Sequence, residues 1–175
     1  MIELVLGGAR SGKSRYAERQ AIKSGLECIY LATAQALDVE MRARILLHQQ
    51  QRDGWTTIEE PLNLAQVLRS MAQPQRCIMV DCLTLWLSNC LHQETWAVAK
   101  AEFLACLSTL SGSIILVSNE VGSGIVPLGE LTRRFVDESG WLHQAVAGYA
   151  DKVTWVAAGL PQTLKDNTHS ATLRV

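Results

Sequence analysis

Five short stretches of this chain are apolar almost throughout and rich in β-branched or aromatic residues. They cover residues 2–6, 27–33, 76–81, 113–119 and 152–158. A strand with one face in solvent alternates polar and apolar positions, whereas a strand covered on both faces is apolar throughout. The pattern therefore predicts five buried strands.

Segments with helical periodicity separate these strands. The clearest one carries apolar residues at steps of three, four or seven, which places them on one helix face: Leu128, Leu131, Phe135, Leu142, Val146 and Tyr149. Gly140 lies inside this pattern and disfavours a single unbroken helix. Strands that alternate with helices predict an α/β fold with a mostly parallel central sheet, in which ligands bind at the carboxyl ends of the strands.

Length and composition favour one domain. A chain of 175 residues with 48% hydrophobic content is sufficient for a single buried core. We expect this domain to span residues 1–165, and we expect the polar residues 166–175 to form a mobile tail.

The net charge and the lengths of the apolar runs disfavour two classes of partner, namely nucleic acids and membranes. A net charge of −1 provides no global basic field, which disfavours a nucleic-acid or membrane-surface partner. No apolar run reaches the roughly 18 to 20 residues that a membrane helix needs, and the amino terminus lacks a secretion-signal layout. We therefore expect a soluble, cytoplasmic protein without membrane insertion. The five cysteines show no CxxC spacing and are expected to be buried thiols rather than a metal site.

The octapeptide GGARSGKS, residues 7–14, follows the first predicted strand and matches the phosphate-binding pattern GxxxxGK[ST]. Gly7 and Gly12 let the backbone curl without a Cβ clash, so that successive amides face phosphate oxygens where a helix begins near Lys13. Lys13 is expected to reach the β- and γ-phosphates, and the Ser14 hydroxyl is expected to bind Mg²⁺. The predicted nucleotide-binding residues of this loop are Gly7, Gly8, Ala9, Arg10, Ser11, Gly12, Lys13 and Ser14.

Two carboxylates follow other predicted strands. Asp81 ends the run IMVD, where a P-loop site commonly places a second carboxylate on the Mg²⁺ or phosphate side. The alternative is that Asp81 caps the helix that begins near Leu83. Glu120, in SNEVGSG, is a second candidate of the same kind. The chain contains no NKxD guanine-binding element, which disfavours the switch GTPases.

A histidine lies between two arginines in a helix-like segment, residues 38–55. Arg44, His48 and Arg52 are four residues apart and therefore project from one helix face. Two guanidinium groups depress the pKa of the imidazole and keep it neutral, as attack on phosphorus requires, while arginines can hold the phosphate oxygens. The alternative is an ordinary surface histidine between solvated arginines.

Seven motifs together resemble one known family. GGARSGKS, YLATAQ, RIxxHxxxR, WTTIEEP, VDCLTLWLSN, VSNEVGSGIVP and ADKVTWVAAGLP occur in the same order as in the cobinamide kinase / cobinamide-phosphate guanylyltransferase family of cobalamin biosynthesis. The resemblance spans residues 1 to about 165. The P-loop is shared with many families, but NEVGSGIVP and RIxxHxxxR are specific to this one. The resemblance implies a P-loop NTPase-type three-layer fold with a RecA-like sheet.

The resemblance also implies two successive reactions. The aminopropanol hydroxyl of adenosylcobinamide takes the γ-phosphoryl group of ATP or GTP, and GMP from GTP is then transferred to the new phosphate through a guanylyl-histidine. The implied catalytic residues are His48 and Lys13, the implied Mg²⁺ ligands are Ser14 and Asp81, and the implied assembly is a homo-oligomer, a trimer. The implied nucleotide contacts outside the P-loop are Ala32, Thr33, Ala34, Gln49, Gln50, Gln51, Arg52, Glu59 and Asp81.

Two departures and two alternatives stay open at this stage. Some family members carry glutamate where Asp81 stands, and Gln49 to Gln51 replace a stretch that is often more charged. One alternative function is a P-loop kinase of another small alcohol without nucleotidyl transfer. The other is a nucleotide-dependent switch or motor, which the near-neutral charge disfavours.

Overall fold

The computed structural model describes residues 1–34 and 54–168 of the chain. Its strands are β1 Ile2–Gly7, β2 Glu27–Ala32, β3 Thr56–Glu59, β4 Arg76–Asp81, β5 Ser113–Asn119, β6 Lys152–Ala157 and β7 Leu160–Asp166. Its helices are α1 Lys13–Lys23, α2 Leu64–Met71, α3 Leu83–His92, α4 Trp96–Leu107 and α5 Glu130–Tyr149.

All seven strands form one sheet in the order β3-β2-β4-β5-β1-β6-β7. Every neighbouring pair is parallel except β6 and β7, which are antiparallel. The carboxyl ends of six strands therefore meet at one edge of the sheet, which we call the carboxyl edge. The prediction of a mostly parallel α/β sheet is confirmed.

Helices cover both faces of the sheet. A large cluster of buried side chains lies between one face and α2 to α5, with Trp86 at its centre, 5.3 Å from the Trp96 ring and 5.0 Å from the Phe103 ring. A smaller cluster beneath α1, including Val5, Ala17 and Met79, covers the other face. Both faces of the central strands are buried, which explains why their sequences are apolar throughout. A sheet between two layers of helices is a three-layer fold.

The five predicted strands are present, with their ends within one residue of the prediction. Strands β3 and β7 were not predicted. They lie at the two edges of the sheet, where β3 is only partly buried and β7 is largely exposed. Neither strand therefore carries a continuous apolar run. Asp166, predicted as the first residue of the tail, ends β7 and pairs with Lys152.

One helix prediction is corrected, and another is tested only at its last two positions. Helix α5 runs unbroken through Gly140, because the buried Leu142 and Val146 that follow it hold the helix against the core. Residues 35–53, most of the predicted segment 38–55, lie outside the described residues. Its last two positions, Gly54 and Trp55, lead directly into β3 and are not helical.

The cysteines and the membrane prediction are also testable here. All five cysteines are free; four are buried and Cys28 is half-buried. The described residues contain no cluster of three or more histidine, cysteine or acidic side chains that could hold a metal ion. Among those residues, no helix combines the length and the apolar character needed to cross a bilayer.

A buried carboxylate joins β1, α1 and β6. Glu3 is 1% exposed, and its Oε1 accepts hydrogen bonds from Thr154 Oγ1 at 2.8 Å and Tyr16 Oη at 3.0 Å. The Lys152 ammonium lies 3.2 Å from the same oxygen and donates to Tyr16 Oη at 3.0 Å. Burial lowers the pKa of Lys152, but the hydrogen bonds to Tyr16 and Glu3 more than offset it, so that the pKa lies above its ordinary value.

We expect Lys152→Met to lower the free energy of unfolding by about 3 kcal/mol, because the Glu3 carboxylate would stay buried without its countercharge. Urea denaturation measures the change. The double variant Glu3→Gln/Lys152→Met removes both charges and should recover at least half of the loss. A double variant no more stable than Lys152→Met alone would contradict this account.

Candidate functional site

The sequence GGARSGKS forms a tight loop between β1 and α1, with Gly7 ending the strand and Lys13 starting the helix. A Cβ on Gly7 would lie 2.4 Å from the Val156 carbonyl oxygen and 2.5 Å from Ser11 Oγ, so no larger residue fits. Gly12 has φ of 95°, and Arg10 adopts a left-handed conformation with φ of 56°. Both glycines are therefore required, one for space and one for backbone conformation.

The loop carries donors that favour an anion. Lys13 is only 8% exposed, and its Nζ donates to the Gly8 carbonyl oxygen at 3.1 Å. Burial lowers the pKa of the Lys13 ammonium, and the nearby Asp81 carboxylate opposes that shift. Ser11 Oγ is buried without a hydrogen-bond partner. A buried cation, an unsatisfied hydroxyl and the start of α1 together fit a bound phosphate group.

Asp81 lies at the carboxyl end of β4, two strands from β1 in the sheet, and its charge acts on Lys13. The cap position of α3 is occupied by Cys82, so Asp81 is not the N-cap residue. Ser14 stands in the first turn of α1, beside Lys13. A hydroxyl and a carboxylate are hard oxygen ligands of the kind Mg²⁺ prefers, and Mg²⁺ commonly takes its other ligands from phosphates and water. The donor set therefore fits this ion.

Thr33 secures the backbone directly after Asp81. Its hydroxyl is fully buried, donates to the Cys82 carbonyl oxygen at 2.7 Å and accepts from the Cys82 N–H at 2.9 Å. The Asn89 amide in turn donates to the carbonyl oxygens of Thr33, at 2.9 Å, and Pro61, at 3.1 Å. The Thr33 hydroxyl is thus committed to Cys82 and holds the backbone that follows Asp81.

The other predicted contacts divide into two groups. Ala32 ends β2 and pairs in register with both Glu59 and Asp81, so the three residues share the carboxyl edge. Ala32 is buried, Ala34 is half-buried and Glu59 is exposed. The remaining predicted site residues lie outside the described part of the chain: Arg44, His48, Gln49, Gln50, Gln51 and Arg52.

Glu120, the second acidic candidate, shapes the loop after β5. Its carboxylate accepts hydrogen bonds from the Gly122 N–H at 2.6 Å and the Ser123 N–H at 3.3 Å. Its own N–H donates to the Gly7 carbonyl oxygen at 3.1 Å. Behind it, His143 Nε2 lies 2.7 Å from Ser118 Oγ, and burial lowers the pKa of His143 while the Glu120 charge opposes the shift. The hydrogen bond to Gly7 attaches this loop to the end of β1, where the P-loop begins.

A hydrogen-bonded link between the ends of β4 and β5 was not predicted. The Asn119 Nδ2 donates to Thr84 Oγ1 at 3.1 Å, and Thr84 Oγ1 also lies 3.1 Å from Cys82 Sγ. The available signal was the polar pair Ser118 and Asn119 at the end of an otherwise apolar strand, on the edge where ligands bind.

A parallel sheet with helices on both faces and a glycine-rich phosphate loop after its first strand defines a P-loop nucleotide-binding protein. A KaiC-like protein of the archaeon Pyrococcus horikoshii has a similar fold, with a TM-score of 0.50 over 88% of this chain and 69% of that one, at 14% identity. Residues 3–164 match the model of the cobinamide kinase / cobinamide phosphate guanyltransferase family. The chain belongs to that family of bifunctional enzymes.

Relatives with known names agree with this assignment. The bifunctional adenosylcobalamin biosynthesis protein CobP of Pseudomonas aeruginosa is 57% identical over 169 residues, which cover 94% of this chain and 98% of that protein. The bifunctional adenosylcobalamin biosynthesis protein CobU of Escherichia coli is 35% identical, over 94% of this chain and the whole of that protein. The corresponding protein of Salmonella typhimurium is 36% identical with the same coverage.

We expect Thr33→Val to lower the free energy of unfolding by about 1–3 kcal/mol, because the N–H and C=O groups of buried Cys82 would lose their shared partner. Chemical denaturation measures this loss. Thr33→Ser retains the hydroxyl and is the matched control, for which we expect the smaller effect. Equal losses in the two variants would mean that the methyl group, and not the hydroxyl, matters at this position.

Proposed function

We propose that this chain phosphorylates the aminopropanol hydroxyl of adenosylcobinamide with ATP or GTP, and then transfers GMP from GTP to the resulting phosphate. The observation that carries the proposal is the family match over residues 3–164, combined with a P-loop whose donors fit a polyphosphate. The product is adenosylcobinamide-GDP, an intermediate of nucleotide-loop assembly in cobalamin biosynthesis.

In the kinase step, the protein contributes position and charge. The P-loop amides and Lys13 hold the β- and γ-phosphates, while the substrate hydroxyl attacks the γ-phosphorus and the nucleoside diphosphate leaves. We assign the Mg²⁺ site to Ser14 and Asp81; when bound, this ion neutralises charge on the phosphate oxygens. The remaining assigned nucleotide contacts of the described residues are Gly7 to Gly12, Ala32 to Ala34 and Glu59.

In the guanylyl step, we assign His48 as the nucleophile. Its neutral imidazole attacks the α-phosphorus of GTP, a nitrogen–phosphorus bond forms, and pyrophosphate leaves. A phosphate oxygen of the phosphorylated cobinamide then attacks the same phosphorus and releases the imidazole. Two displacements replace one difficult step, and the phosphoramidate preserves the group-transfer potential. Gln49, Gln50, Gln51 and Arg52 are assigned as nucleotide contacts beside it.

Assembly and location are further parts of the proposal. We assign a homo-oligomer, a trimer on the family resemblance, in the cytoplasm. Support for an assembly comes from side chains that are almost fully solvent-exposed although apolar, Ile125 at 98% and Leu128 at 97%, in the loop after β5. Exposed apolar surface of this kind marks interaction sites. This loop begins at the carboxyl edge, beside the P-loop.

Family membership favours this function over a kinase of another small alcohol and over a nucleotide-dependent switch. The decisive difference is a covalent guanylyl-enzyme, which neither alternative forms. Incubation with GTP labelled at the α-phosphate, followed by denaturation, should leave acid-labile label on the protein. A protein that carries no label but phosphorylates cobinamide would be a simple kinase.

We expect His48→Ala to lower guanylyl transfer about 10³-fold or more and to abolish the protein-bound label, because the nucleophile is removed. Much of the kinase activity should persist, as measured by formation of phosphorylated cobinamide. His92→Ala, at an exposed position of α3, is the matched control and should retain both activities. Label retained by His48→Ala would show that another residue is the nucleophile.

We expect Lys13→Ala to lower both activities about 10²-fold or more, because both reactions begin with a triphosphate held by the same loop. The control is Lys23→Ala, which removes an exposed lysine from the last turn of the same helix. Steady-state kinetics of each half-reaction measure the effect. If guanylyl transfer survived Lys13→Ala unchanged, the two reactions would not share the loop.

A further inference from the structure

The turn between β6 and β7 lies against the P-loop. The Gly159 N–H donates a hydrogen bond of 2.8 Å to the Ser11 carbonyl oxygen. The two backbones are so close that a Cβ on Gly12 would lie 3.1 Å from Gly159 Cα. Upstream, the Val156 carbonyl oxygen occupies the space where a Gly7 side chain would be. This hairpin therefore touches the loop at its beginning and its end.

The turn itself is short and sharply defined. Ala158 and Gly159 have φ of 50° and 79°, both in the left-handed region, as a two-residue hairpin loop of type I′ requires. Both residues are exposed and contribute nothing to the core. The strands on either side are held by the β6–β7 ladder and by the buried Glu3, which bonds to Thr154 of β6.

The hydrogen bond has a directional consequence for the P-loop. In a trans peptide the C=O and the following N–H point to opposite sides. With the Ser11 carbonyl directed at the hairpin, the Gly12 N–H on the same peptide points away from it, where it is available to an anion. The opposite orientation would turn a carbonyl oxygen toward the phosphates and repel them.

The loop needs such outside support. Arg10 is a non-glycine residue at φ of 56°, and Gly12 is at 95°, so two of its five linking residues occupy left-handed conformations. For a residue with a Cβ, such a conformation costs roughly 1–2 kcal/mol. A backbone held in unfavourable conformations persists only where its surroundings impose it.

We propose that the Ala158–Gly159 turn is a positioning element for polyphosphate: it fixes the Ser11–Gly12 peptide so that the P-loop is already shaped to receive an anion. The inference deepens the proposed function, because it rests on triphosphate binding by this loop. It assigns Gly159 a role in affinity for the phosphate chain, separate from any role in folding.

The test measures binding of inorganic tripolyphosphate to the full chain by calorimetry. Gly159→Ala and Gly159→Val place a Cβ at a left-handed position and should displace the turn. We expect the dissociation constant to rise about fivefold for alanine and more for the β-branched valine. Gly159→Asn, a residue that tolerates this conformation, should bind close to wild type, and Ala158→Asn should bind at least as tightly as wild type.

The matched control is Gly25→Ala. Gly25 has φ of 68° in the turn between α1 and β2, and a Cβ there meets nothing within 4 Å, so it imposes comparable strain away from the P-loop. We expect a lower melting temperature without a change in the dissociation constant. The KM for GTP should rise in Gly159→Ala and not in Gly25→Ala.

Three outcomes would overturn the inference. Wild-type affinity in both Gly159→Ala and Gly159→Val would mean that the turn does not position the loop, and so would an equal loss in Gly25→Ala. A wild-type chain that binds no tripolyphosphate would also refute it. If tripolyphosphate binds as expected but no guanylyl-enzyme forms, the proposed function fails while the positioning role stands.

Discussion

A phosphate loop must hold backbone donors toward a space that only a ligand fills, and this constraint organises the surrounding structure. The loop has few side chains with which to hold itself, and two of its residues, Arg10 and Gly12, lie in left-handed conformations. Its shape is imposed by β1 before it, α1 after it and the β6–β7 hairpin beside it. The buried Glu3 carboxylate joins the same three elements through Tyr16 and Thr154. These polar contacts in the core therefore help to fix the positions of the three elements that hold the loop.

Asp81, at the end of β4, is also held in position by contacts from other elements. Asp81 is a short side chain, so its position depends on the backbone that carries it. Thr33, from the adjacent β2, bonds to both the N–H and the C=O of the next residue, Cys82, and Asn89 fixes Thr33 in turn. Lys13, at the start of α1, and Asp81, at the end of β4, are therefore held in place by separate sets of contacts. Burial lowers the pKa of Lys13, and a phosphate bound beside it would favour the charged ammonium and oppose that shift.

Much of this architecture could be predicted from sequence, and the misses share a cause. The five strands with both faces buried carry continuous apolar runs and were predicted, whereas β3 and β7 lie at the sheet edges and carry polar residues. The P-loop was predictable because its chemistry is local to eight residues. The roles of Thr33 and Gly159 were not, since their partners, Cys82 and Ser11, are 49 and 148 positions away along the chain. Such pairs depend on strand order, which periodicity does not reveal.

A P-loop held in one shape limits how an enzyme can carry out two different reactions on a triphosphate. Phosphoryl transfer breaks the bond at the γ-phosphorus, whereas guanylyl transfer breaks the bond at the α-phosphorus and needs an approach from a different direction. The elements that hold the loop, β1, α1 and β6, are tied together by hydrogen bonds and an ion pair around buried Glu3, so the loop keeps one shape. On the proposed function, this same loop holds the triphosphate in both reactions. Groups outside the P-loop therefore have to select the reaction. The selection depends on whether the acceptor hydroxyl is aligned with the γ-phosphorus or the nucleophile is aligned with the α-phosphorus. On the proposed function, the P-loop fixes where the triphosphate is held, and the groups around it decide which bond is broken.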